Sequence, residues 1–111
     1  MLIDFEKLEA AKVENFRGGE KYIMVKTAVD DGDNKIMLSR VVPGGSVGMH
    51  AHETNCEVIY FVSGTGVSIL DGVEQPLYPG LVQYCEKGHT HSIINNGTED
   101  LVFFAVVPNI K

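Results

Sequence analysis

His50 and His52, two residues apart, and Glu57, five residues beyond His52, are side chains whose types and spacing point to metal chemistry. Extended backbone turns successive side chains to opposite faces, so the two imidazoles project to one side while Ala51 points away. Glu57 falls on the opposite phase, so one uninterrupted strand cannot present all three together. Glu53, Thr54 and Asn55 are polar and turn-compatible, and a bend or hairpin there lets Glu57 open the next strand facing the histidines again. A second stretch, Gly80 to Asn95, offers His91 as the remaining ligand. Three imidazoles and a carboxylate form a mixed nitrogen and oxygen site, suited to divalent manganese, iron, cobalt, nickel, copper or zinc. Burying such a set without a cation is costly, because an unpaired buried charge is strongly disfavoured. A divalent ion less one carboxylate is about one unit positive, which favours oxygen-bearing or anionic small molecules as ligand or substrate.

Other side chains carry weaker signals. His89 lies two residues before His91 and shares its face if the strand has already begun there, which makes it a candidate fifth ligand or catalytic proton carrier. Arg40 could hold an anion in a cavity, or lie on a face covered by the N-terminal segment. Cys56 is opposite in phase to Glu57 and is placed in an outer layer, and neither it nor Cys85 is a ligand candidate. The acid-rich run Asp30 to Asn34 lacks the calcium-loop spacing with its closing glutamate and reads as a hairpin turn.

The elements that must position these residues are nearly all strands. Ile3 to Val13 reads as a short helix or turn that Asp4 can cap, followed by a linker in which Gly18-Gly19 marks a tight turn or a close backbone approach. Strands are predicted over Tyr22 to Val29, Lys35 to Val42, Val47 to His52, Cys56 to Val62, Val67 to Leu70, Leu81 to Cys85, His89 to Ile94 and Leu101 to Val107. Asp71-Gly72 is a two-residue hairpin signal, and Asn95-Asn96-Gly97 a further turn. In Cys56 to Val62, Glu57, Ile59 and Phe61 share one face and Val58, Tyr60 and Val62 the other, so both faces ask for cover. Many short strands with frequent turns indicate an antiparallel sandwich or barrel.

Gly44, His50, His52, Glu57 and Gly64 match the fixed positions of the first cupin motif, and Gly80, Gly88, His91 and Asn95 match the second. Glu86 replaces the usual proline and Leu81 the frequent aspartate. The chain thus resembles a small single-domain cupin, with one domain over 1–111 and metal-site motifs at 44–64 and 80–95. The resemblance implies an all-β double-stranded β-helix, the cupin jelly-roll barrel, here with a short N-terminal helix or turn. Cupins with this ligand set include dioxygenases, oxalate-degrading enzymes and isomerases, so a metal-dependent enzyme acting on a small oxygenated molecule is one expectation. A non-catalytic metal or small-ligand binding protein is the other. Oxalate decarboxylases resemble two fused cupin domains with an acidic lid residue, and neither feature is visible here; cupin sugar isomerases are usually longer.

Composition limits the partners. A net charge of −6 over 111 residues repels nucleic acid and anionic membranes, and no basic patch opposes it. No apolar run approaches a membrane span and no export signal is visible, so a cytoplasmic protein with unbridged cysteines is expected. The apolar content of both strand faces points to a symmetric homodimer, with the N-terminal strand as one element that can add to the partner's sheet.

Overall fold

The computed structural model describes residues 1–110 and consists almost entirely of strands. In chain order they are β1 (Ala11–Glu14), β2 (Tyr22–Asp30), β3 (Asn34–Val41), β4 (Ser46–Ala51), β5 (Glu57–Ser63), β6 (Gly66–Leu70), β7 (Val73–Leu77), β8 (Val82–Cys85), β9 (Thr90–Ile94) and β10 (Leu101–Pro108). They form two antiparallel sheets, a six-stranded one in the order β1-β2-β3-β10-β5-β8 and a four-stranded one in the order β4-β9-β6-β7. The predicted all-β jelly roll is therefore the observed architecture.

Alternation decides which side chains enter the space between the sheets. Ile59 and Phe61 of β5, Ile23 of β2, Val41 of β3, Leu101 and Phe103 of β10 and Ile93 of β9 are buried there. Their outward neighbours Val58, Tyr60 and Val62 stay exposed. Phe61 and Phe103 pack ring to ring at 6.0 Å across neighbouring strands. Ile23, Ile93 and Phe103 of this set also line a cavity between the sheets.

The N-terminal segment differs from the predicted helix or turn. Asp4 does cap a 3₁₀ turn over Phe5–Lys7, its carboxylate accepting from the Glu6 N–H at 3.0 Å. The chain then extends into β1, which pairs with β2 of its own chain. Lys12 and Val13 support no further turn once that sheet edge is available, an instance of tertiary pairing overriding local preference. Gly18-Gly19 is no plain linker. Gly18 ends a second 3₁₀ turn, Phe16–Gly18, and Gly19 caps it, the turn packing against β4. The return strand of the Asp71-Gly72 hairpin, β7, was not specified by its sequence because Val73-Glu74-Gln75-Pro76 is mostly polar and exposed.

Candidate metal centre

β4 and β9 lie side by side, and their register sets His50 directly opposite His91. His52 follows just past the end of β4. The chain then bends through Glu53 and Thr54, Asn55 bridging to Asn109, before β5 begins at Glu57. This bend is a crossing from the four-stranded to the six-stranded sheet, not a hairpin, and it returns Glu57 to the phase of the histidines. One ligand atom from each of His50, His52, Glu57 and His91 lies within 4.8 Å of all the others. His52, Glu57 and His91 are buried and His50 is half-buried.

The rings are held by their far nitrogens. His50 Nδ1 faces the Gly48 carbonyl oxygen at 2.8 Å, His52 Nδ1 faces Asn55 Oδ1 at 2.5 Å, and His91 Nδ1 faces Gln83 Oε1 at 2.9 Å. An acceptor at each Nδ1 places the ring hydrogen there and leaves Nε2 with a lone pair, the arrangement of metal-binding histidines. The three Nε2 atoms and Glu57 Oε1 then converge. His91 Nε2 is 3.0 Å from His52 Nε2, 3.1 Å from His50 Nε2 and 3.0 Å from Glu57 Oε1, and His52 Nε2 is 3.1 Å from Glu57 Oε1. Lone pairs and a carboxylate facing one another at such distances repel unless a positive charge lies among them. Two donors each about 2.1 Å from one ion and at right angles are about 3.0 Å apart, whereas tetrahedral ligation separates them by about 3.4 Å. The mutual spacing of His52, Glu57 and His91 fits the right-angled set, and the residues present suit a divalent transition metal.

Charge at the cluster follows the same contacts. Burial works to raise the Glu57 pKa, but in the metal-free cluster His52 and His91 donate to it whenever their Nε2 atoms carry a proton, and this outweighs burial and brings it down to about 2, so Glu57 is ionised. The Glu57 hydrogen bond raises the His52 pKa, with burial and the charge of Arg17 acting in the opposite sense. Burial lowers that of His50. Cys85, across from Glu57 on β8, is fully buried, and burial and the Glu57 charge push its thiol up to about 11. It is therefore an inert thiol, not a ligand. Cys56, expected to pack in an outer layer, is also buried and lies against Tyr84 of β8.

The cluster forms part of the wall of a cavity of about 400 Å³. Apolar side chains, Val13, Phe16, Val25 and Met37 among them, line most of its remainder, with Arg17, Asp30 and Lys35 as its other charged groups. His89 is outside this cavity. Its exposed ring pairs with Asp71 through Nδ1 at 2.5 Å, so the geometry does not bring the expected fifth ligand or proton carrier to the cluster. Arg40 is also outside, exposed and 3.6 Å from Asp100, on a face that the N-terminal segment borders. Three residues went unnoticed in the sequence. Asn55 reads in the sequence only as a turn residue, Gln83 is a polar residue on the inward phase of a strand whose outward residues are apolar, and Arg17 stands in an apparent linker.

Comparison with known proteins places the site in context. The Cupin domain family model matches residues 37–107. The chain is 31% identical to the oxalate-binding protein of Thermotoga maritima over 112 residues, covering 96% of this chain and 93% of the other. It superposes on the crystal structure of a predicted oxalate decarboxylase of Thermotoga maritima with a TM-score of 0.94 at 29% identity, covering 99% of this chain and 100% of that one. KdgF of Halomonas sp. shares the fold, with a TM-score of 0.80 at 19% identity over 100% of this chain and 96% of that one.

Proposed function

The chain belongs to the cupin family, and from that premise we propose that it binds a divalent transition metal through His50, His52, Glu57 and His91 and, at that metal, a small oxygenated anion. The observation that carries this reading is the meeting of the His52 and His91 Nε2 atoms at Glu57 Oε1 with His50 Nε2 beside that of His91, each ring having its Nδ1 held by an oxygen acceptor. When bound, the ion supplies Lewis-acid polarisation of an oxygen ligand. The protein's own groups do the rest. Gly48, Asn55 and Gln83 fix the rings, Glu57 sets the charge, and apolar side chains line much of the rest of the cavity. The likeness to an oxalate-binding protein supports a carboxylate-bearing ligand.

Binding is preferred to turnover because His89, the expected non-ligand proton carrier, lies outside the cavity. A turnover reading retains one supporting observation: Asp30 is a second carboxylate in the cavity wall and would carry the proton. The test is elemental analysis of purified protein followed by calorimetric titration with oxalate, with product mass followed in parallel. About one metal per chain and saturable binding without product are expected, in line with structural affinity for such sites. Absence of metal under every loading condition overturns the reading, and product formation abolished by Asp30→Asn replaces it with the enzymatic one.

We also propose a symmetric homodimer. Val58, Tyr60 and Val62 of β5 and Val82 and Tyr84 of β8 form a contiguous exposed apolar face, which a second copy would cover. A monomeric mass by light scattering at micromolar concentration would overturn this.

A further inference from the structure

Arg17 is exposed to solvent yet lines the same cavity as the four ligands. Its backbone is left-handed, with φ 55° and ψ 30°, a conformation that a non-glycine residue keeps only where its surroundings hold it. Two glycines do so. A Cβ on Gly48 would overlap the Arg17 carbonyl oxygen, and a Cβ on Gly19 would overlap the Ser46 carbonyl oxygen, so the turn sits directly on β4. Gly48 is also the residue whose carbonyl orients His50. One point on β4 therefore positions both a ligand ring and the turn that carries Arg17.

The guanidinium has no ion pair among the described residues and lies 5.6 Å from the centroid of the neighbouring Phe16 ring. Arg40, by contrast, is matched to Asp100. An unpaired cation beside a centre that itself bears net positive charge with a divalent ion is unfavourable until an anion joins the two. Size narrows that anion. A cavity of about 400 Å³ exceeds what a bare oxalate fills, and its wall beyond the ligands is apolar at Val13, Phe16, Val25 and Met37.

We propose that Arg17 is the specificity-determining residue of this site, fixing the carboxylate of a metal-held 2-oxo or 2-hydroxy acid whose aliphatic tail lies along the apolar wall. The inference deepens the function proposed above and rests on the cluster holding a metal. Arg17 supplies a planar pair of donors that matches a carboxylate, and the apolar wall rewards a ligand longer than the minimal chelator.

The test uses the full chain loaded with manganese and titrated calorimetrically with pyruvate, 2-oxohexanoate and imidazole, the last a neutral ligand for an open metal position. Arg17→Asn suits the left-handed backbone, and Arg17→Lys keeps the charge without the fork. The wild type is expected to bind 2-oxohexanoate about tenfold or more tighter than pyruvate, given three further buried methylene groups. Arg17→Asn should keep its manganese and its imidazole affinity while losing about tenfold or more for both oxo acids, with partial recovery in Arg17→Lys. Unchanged oxo-acid binding in Arg17→Asn overturns the role of Arg17 and leaves the metal reading standing. Equal affinity of the wild type for the two oxo acids overturns the tail assignment, as loss of manganese in Arg17→Asn would overturn a role in specificity. A wild type that takes up no manganese and binds none of the three probes removes the reading on which the proposal rests.

Discussion

His89 and His91 stand two residues apart on one segment, yet one is a surface residue and the other is among the most buried side chains in the protein. Strand phase alone would turn both rings to the same side. The difference lies in what holds each backbone and each Nδ1. β9 begins only at Thr90; His89 belongs to the preceding turn, where its N–H donates to the Glu86 carbonyl at 3.0 Å and its carbonyl accepts from the His52 N–H at 3.1 Å. Its backbone thus helps to seat a ligand while its ring leaves for Asp71. His91 lies inside the strand, opposite His50, with Gln83 behind it. A histidine becomes a candidate ligand through its supporting acceptor as much as through its place in a motif.

The comparison breaks most visibly at His91 itself. His91→Ala removes the one ring whose Nε2 is within 3.1 Å of His50, His52 and Glu57 alike, so metal content should fall from about one per chain to near background, whereas His89→Ala should leave it intact. Elemental analysis of the two variants after identical loading decides the matter, and equal metal content would show that the two histidines are not distinguished as described. A smaller effect is expected one contact further out. Gln83 accepts from His91 Nδ1 and donates to Ser68 Oγ at 2.5 Å, which fixes its amide. Gln83→Leu keeps the volume but frees the ring, and metal affinity measured by competition with a chelator should weaken by about 10–100-fold. Unaltered affinity would mean that the His91 tautomer is set by something else.

These distinctions mark how far the sequence could be read. The strands of both motifs were legible because apolar alternation and turn residues agree, as in Glu57, Ile59 and Phe61 against Val58, Tyr60 and Val62. The grouping of His50, His52, Glu57 and His91 was legible from phase plus one necessary bend, and the resemblance to the cupin motifs reinforced it. Gln83 was not, since its value depends on the β5–β8 pairing and on a contact to another sheet, neither of which leaves a local pattern. Arg17 escaped for a related reason: its position rests on backbone contact between Gly48 and a turn some thirty residues earlier. His89 misled because a period-2 rule was extended by one residue into a turn, where the rule does not apply. Strand β1 escaped too, because a four-residue edge segment with three charged or exposed positions has little alternation to read.

The smallest effect sharpens the other half of the comparison. The Asp71 hydrogen bond, and then its charge, raise the His89 pKa, and the His89 hydrogen bond, followed by the Thr90 N–H, lowers that of Asp71. A histidine raised in the fold contributes stability that is complete below its unfolded value of about 6.5 and is lost as pH rises through the raised value. An aspartate lowered in the fold contributes above its unfolded value of about 3.9, and that contribution is lost as pH falls through the lowered one. The pair is therefore fully effective between these two unfolded values, and because both groups are exposed its strength should fade with salt. Asp71→Asn keeps the left-handed turn residue and an acceptor for Thr90 while removing the charge. Followed by NMR in zinc-loaded protein, the His89 ring should titrate at a lower pH in the variant than in the wild type, with metal content unchanged. A fixed His89 titration would show that Asp71 does not hold the ring in solution, and loss of zinc would tie this surface pair to the metal centre after all.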